Sequence, residues 1–116
     1  MQILIIVNDA PYATDRPYQA LRLATALAGD GETTVRLFFI SDGVRCAVGG
    51  QAPPDGAKDV EWMLRRFLAG RREAAVCQSC MDERGITEAQ LIEGASRGNL
   101  EQLAAWTRES DRVLVF

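Results

Sequence analysis

The sequence predicts an α/β domain of three layers, with helices on both faces of a mainly parallel sheet, and three observations carry that expectation. Short runs rich in β-branched residues alternate with stretches of helical periodicity. Most of those runs are apolar at every position, the pattern of strands covered on both faces. The breaks between them fall at glycine, proline, asparagine and aspartate.

The first run, Ile3 to Val7, is a continuously apolar strand that ends in Asn8-Asp9-Ala10-Pro11-Tyr12. Thr14 or Asp15 is placed to cap a helix, Pro17 is tolerated in its first turn, and Ala20, Leu21, Ala24, Leu27 and Ala28 recur at helical spacing before Gly29-Asp30-Gly31. A second strand runs through Val35, Leu37, Phe38, Phe39 and Ile40 and breaks at Ser41-Asp42-Gly43. Phe38 and Phe39, being adjacent, point to opposite faces. The stretch from Cys46 to Gly56 holds three glycines and two prolines and reads as a loop. Val60, Met63, Leu64, Phe67 and Leu68 then mark one face of a helix ending near Gly70.

A third strand, Ala74 to Val76, runs directly into Cys77. A short turn from Met81 to Arg84 follows, and after Gly85 the pair Thr87 and Gln90 has capping-box spacing for a single helical turn. Glu93 to Ser96 is a candidate fourth strand. Asn99 and Gln102 repeat the capping signature ahead of a helix that places Leu100, Leu103, Ala104 and Thr107 on one side, and Val113 to Phe116 forms the last strand. Trp62 and Trp106 read as packing or subunit-contact residues.

Composition narrows the chemistry. The 116 residues, 47% apolar and 25% charged, suffice for one core and are expected to form a single domain over 1–116 without a disulfide or metal staple. With 13 arginine and lysine residues against 16 acidic ones, and Lys58 the one lysine, no basic stripe tracks a nucleic-acid backbone, so no nucleic-acid partner is expected. The run Ile3 to Val7 is too short for a signal peptide or a membrane span, which makes a cytoplasmic location without membrane association the default expectation. Three cysteines and no histidine exclude Ser-His-Asp and Cys-His catalysis and histidine metal ligation from the chain acting alone. Thiols become the first candidates.

All three cysteines are expected at the carboxyl edge of the sheet, where parallel α/β folds gather their reactive groups: Cys77 ends the third strand, Cys80 follows it, and Cys46 lies in the loop after the second. Cys77-Gln78-Ser79-Cys80 admits several readings. A zinc site would need four ligands and falls short with one C-x-x-C, so no metal is expected. A thioredoxin-type dithiol at a strand-to-helix junction is one reading, and buried cysteines acting as small apolar side chains are another. A reactive thiolate would need backbone amides and a nearby guanidinium, for which Arg84 and Arg45 are the candidates. Asp82, Glu83 and Glu88 read as a solvated turn. Gly49-Gly50 matches no phosphate-binding loop, leaving nucleotide binding without a motif.

Taken together, Asn8 to Tyr12, Ser41-Asp42-Gly43-Val44, Gly50-Gln51, Cys77-Gln78-Ser79-Cys80 with Asp82-Glu83-Arg84-Gly85-Ile86, and Leu103-Ala104-Ala105-Trp106 through Asp111 to Phe116 resemble the DsrE/DsrF-like family, in particular its YchN-type members, over essentially the whole chain. The resemblance implies an α/β/α sandwich with a five-stranded sheet and a ring-like homo-oligomer, a hexamer. It further implies a sulfurtransferase-like carrier without a cofactor. In that reading Cys77 accepts a persulfide sulfur from a donor protein and passes it to an acceptor, Cys80 is its partner thiol, and Arg84, Arg45, Asn8, Tyr12 and Asp42 line the site or stabilise the thiolate. Cys46 matches no family site. A non-catalytic oligomer that binds a ligand or partner, and a Cys77/Cys80 redox switch, stand as alternatives.

Overall fold

The computed structural model describes residues 1–55 and 58–116, so Gly56 at the end of the predicted loop lies outside the described residues. Five strands, β1 (Gln2–Val7), β2 (Thr34–Phe39), β3 (Glu73–Cys77), β4 (Ala95–Gly98) and β5 (Arg112–Val115), pair in the order β4-β3-β2-β1-β5. Every pairing is parallel. Four α-helices connect them: α1 (Arg16–Ala28), α2 (Val60–Ala69), α3 (Gln78–Glu83) and α4 (Leu100–Glu109).

The alternation of side chains along β1 divides the core. Ile3, Ile5 and Val7 face α1, α2 and α3, where Leu21, Leu64, Phe67 and Met81 are buried with them. Leu4 faces the other way, into a smaller cluster with Phe38, Ala75 and Trp106 of α4. Phe39 and Phe38 lie in these two clusters, on opposite faces as the sequence requires. The cause of the division is topological. The chain steps in one direction from β1 to β4, then returns across the sheet to place β5 beside β1, and a reversed step with right-handed crossovers puts its helix on the opposite face.

Local chemistry sets the element ends. Asp59 accepts from the Trp62 amide at 3.0 Å and Asn99 from the Gln102 amide at 2.9 Å, capping α2 and α4. Thr87 and Gln90 form the predicted capping box around a short 3-10 turn, Glu88–Gln90. Asp15 occupies the cap position of α1 without a side-chain capping bond; its carboxylate pairs instead with Lys58 at 2.8 Å.

Three boundaries and one helix face differ from the sequence expectation. Ser41–Ala47 is a 3-10 helix rather than a plain break and loop, held against β1 by Gly43, whose amide donates to the Asn8 carbonyl at 3.0 Å. A Cβ at residue 43 would collide with the Val7 carbonyl, so only glycine fits there. Helix α3 begins at Gln78, immediately after β3, and not at Met81. Strand β4 lies two residues later than predicted, displaced by the Gly94 turn at φ 96°. On α4 the buried residue is Trp106, edge-on to Phe38 with centroids 6.3 Å apart, while Leu100 and Thr107 face solvent. The helix's inward face is therefore rotated from the predicted one, because the large ring of Phe38 and the guanidinium of Arg36 both pack on the indole. Among the described residues, no helix is long and apolar enough to cross a membrane.

Candidate functional site

Strands β3 and β4 are neighbours, yet the segments that leave them go to opposite faces: α3 buries Met81 in the larger cluster, and α4 buries Trp106 in the smaller one. Diverging connections open a crevice at the carboxyl ends of the strands. Here it is a groove of about 520 Å³ floored by Phe38 and Ile40 and lined by Cys77 and Cys80. Cys77 is the last residue of β3, opposite Gly98 of β4, and is itself the residue that precedes α3.

The two thiols are half-buried and bond-free as a pair, and their surroundings push them apart. Burial opposes ionisation of Cys77. The Cys80 thiol, the Ser79 hydroxyl 3.3 Å away, and the amides of Cys80 and Ser79 outweigh it, holding Cys77 below the ordinary thiol value. These amides open α3 and favour a negative sulfur, although the thiol makes no capping hydrogen bond of ordinary geometry. Cys80 moves the opposite way: burial and the Cys77 sulfur raise it, against the opposing pull of the Ser41 amide and the Arg84 charge. The Ser41 amide donates to Cys80 Sγ at 3.3 Å from a left-handed backbone, φ 54°. Sequence inspection registered Ser41 only as a break; its amide carries the role, and amides leave no mark in residue identity.

Arg84 and Asp42 join this site. Arg84 Nε donates to Asp42 Oδ1 at 3.0 Å and Nη1 to the Cys80 carbonyl at 3.0 Å, tying the end of α3 to the 3-10 helix. Its charge acts on Cys80, whose carbonyl it also holds. Cys80 is therefore clamped at its sulfur by Ser41 and at its carbonyl by Arg84.

The other predicted site residues lie elsewhere. Arg45 is exposed and lines a second groove of about 570 Å³ with Tyr12, between the β1 loop and the loop that follows the 3-10 helix. The groove that holds Cys77 and Cys80 does not include it. Tyr12 donates to Gln51 Oε1 at 2.7 Å and accepts from the Val60 amide at 3.2 Å, which fastens that loop to α2. Asn8 binds the chain's last carbonyl through both its amide and its side chain, at 3.0 and 3.1 Å, and holds the end of β5. Cys46, expected in a loop, is fully buried in the 3-10 helix and donates to the Asp9 carbonyl at 3.4 Å. Burial and the Asp9 charge push its thiol up to about 12, so it is inert. No group of three or more metal-ligating side chains occurs among the described residues.

Comparison with known proteins agrees with this architecture. The model of the DsrE/DsrF-like family matches residues 1–116. Protein YchN of Escherichia coli strain K12 is 38% identical over 116 residues, covering 99% of this chain and 98% of that protein. A sulfurtransferase TusD homolog of Vibrio vulnificus is 28% identical over 128 residues, covering 100% and 98%. The crystal structure of the Escherichia coli YchN protein matches over the full length of both chains with a TM-score of 0.91 at 39% identity. A protein of unknown function from Methanobacterium thermoautotrophicum shares the fold, with a TM-score of 0.79 at 11% identity over 99% of this chain and 98% of that one.

Proposed function

Because the chain belongs to the DsrE/DsrF-like family, we propose that it is a sulfur carrier whose working atom is Cys77 Sγ. The observation that carries this reading is that Cys77 alone of the three cysteines both lines a groove and is shifted toward the thiolate. The sulfurtransferase name of the Vibrio relative supports it.

The Cys77 thiolate attacks the outer sulfur of a donor persulfide. A new bond forms between Cys77 Sγ and that sulfur, the donor's S–S bond breaks, and the donor leaves as a thiolate. An acceptor thiolate then takes the outer sulfur by the same exchange, returning Cys77 to its thiolate. No electrons enter or leave and no cofactor is required. Cys80, whose thiol is shifted toward the protonated form, favours the thiolate on Cys77 and withholds itself from the exchange. When Cys80 does ionise, its attack on Cys77 Sγ expels hydrosulfide and leaves a Cys77–Cys80 disulfide. Two free thiols lining one groove thus also favour a second reading, a dithiol redox switch.

The assembly that goes with the reading is a homohexamer. Val115 on β5 and Trp62 on α2 are among the exposed apolar side chains that such an assembly would cover, and sedimentation equilibrium measures its mass.

Incubation with a cysteine desulfurase and cysteine is expected to add the mass of one sulfur atom to the protein, on Cys77, and to add none to Cys77→Ser. An equal adduct on Cys77→Ser, or none on either, refutes sulfur carriage. A Cys77–Cys80 disulfide that equilibrates near the cytosolic glutathione poise without sulfur uptake selects the redox reading.

A further inference from the structure

Resting on that reading, we propose that the groove docks a basic, partly apolar segment of a partner protein that presents the exchanging cysteine, and that it disfavours anionic persulfides of low molecular weight. The charge of the groove is the first ground. Among the described residues, the charged side chains that line it are Glu83, from the end of α3, and Glu101, from the first turn of α4. Glu83 has only a 3.5 Å contact with Arg84, and Glu101 takes part in no ion pair among the described residues. The nearest cation, Arg84, is committed to Asp42 and to the Cys80 carbonyl. Of the amides that open α4, that of Gln102 is already taken by the Asn99 side chain.

The second ground is apolar surface. Leu100, at the start of α4, is 70% exposed and stands at the groove mouth above Ile40 and Phe38. A small thiol reaching Cys77 has no use for that side chain; a peptide segment buries it. A second copy packed groove to groove about a two-fold axis would bring the same two glutamates to the same place, so like charge opposes that occupant. A segment with lysine or arginine beside its cysteine meets both features.

The test uses the intact protein and two synthetic peptides, each with one cysteine activated as a thiopyridyl disulfide and one leucine, flanked by lysines in one and by glutamates in the other. The rate of mixed-disulfide formation at Cys77, located by mass spectrometry, is divided by the rate with neutral iodoacetamide. The lysine peptide is expected to react roughly tenfold faster at low ionic strength. The preference should shrink toward unity near 1 M salt, where screening acts within about 3 Å. Glu83→Gln with Glu101→Gln should reduce it in the same way, and Leu100→Ser should slow both peptides while leaving the iodoacetamide rate unchanged.

Equal rates, a faster glutamate peptide, or a preference that survives Glu83→Gln with Glu101→Gln overturns the proposal. So does a change in oligomeric mass caused by the glutamine variant, which would assign the groove to a second copy. Disulfide exchange needs only a reactive thiol, so the two readings fail separately. Charge preference without desulfurase-dependent sulfur uptake sinks sulfur carriage alone, and sulfur uptake without charge preference sinks the docking surface alone.

Discussion

Cys46 and Cys77 are the same residue type at the same edge of the same sheet, and they have opposite fates. Cys46 follows β2 inside a 3-10 helix whose inward side is pressed onto β1, so its sulfur has no solvent and one carbonyl for company. Cys77 is the last residue of β3, and the chain turns at once into α3, so its sulfur meets the first amides of a helix at the wall of a groove. The difference shows that position at a sheet edge does not make a thiol reactive. The conformation of the next few residues decides whether the sulfur points into the core or toward donors.

The largest expected contrast is in alkylation. At pH 8 iodoacetamide should modify Cys77 at least about a thousandfold faster than Cys46, since a thiol that titrates near 12 is almost never ionised at that pH. Peptide mapping of the native protein measures this, and denaturant should remove the contrast. Comparable native labelling would break the comparison.

Next in size is alkaline stability. The Cys46 thiol, ordinarily near 9, is pushed up to about 12 in the folded chain. The unfolded chain therefore releases this proton first, and the stability associated with the neutral thiol is intact below pH 9 and lost as the pH climbs toward 12. The loss amounts to roughly 4 kcal/mol across that window at about 1.36 kcal/mol per unit. Chemical denaturation at pH 8 and at pH 11 should show Cys46→Ala losing less stability over the interval than the parent protein.

A smaller effect sharpens the reactive side. Cys80→Ala removes the neighbouring thiol that favours the Cys77 thiolate, so the pH profile of Cys77 alkylation should move upward and its rate near neutrality should fall severalfold. Cys77→Ser should move the Cys80 profile downward, because the neighbouring negative sulfur that raises it is gone. The smallest effect separates two arginines. Arg84→Ala should raise the Cys80 profile and leave that of Cys77 nearly in place, whereas Arg45→Ala should change neither. A shift of Cys77 in Arg45→Ala would mean that the second groove communicates with the thiols.

These contrasts also mark what was legible in the sequence. Strands announced themselves because a buried parallel strand is apolar at every position, and Asn99 to Gln102 announced a helix start because a cap needs its oxygen at fixed spacing. Cys77 and Cys80 were found because they end a strand that periodicity had already located. The 3-10 helix was missed because Ser41-Asp42-Gly43 and the residues after it carry no helical periodicity; its cause is a close approach of Gly43 to β1, a tertiary fact. The same miss hid the burial of Cys46 and left Arg45 and Arg84 as equal candidates. Leu100 and Thr107 were grouped with Leu103 and Ala104 on one side of α4, and both face solvent for a related reason: spacing gives the period of a helix, but its rotation is set by what it packs on, here Phe38 and Arg36.

The brevity of α3 has a consequence for how the chemistry can vary over generations. Between the two cysteines stand Gln78 and Ser79, both exposed and absent from either core cluster. The next residue after Cys80, Met81, is the one that anchors the helix to the interior. Substitutions at the two intervening positions therefore touch the reactive sulfur, through the Ser79 hydroxyl above all, at little cost to folding. The ionisation of the Cys77 thiol can be retuned there while the architecture that presents it stays fixed.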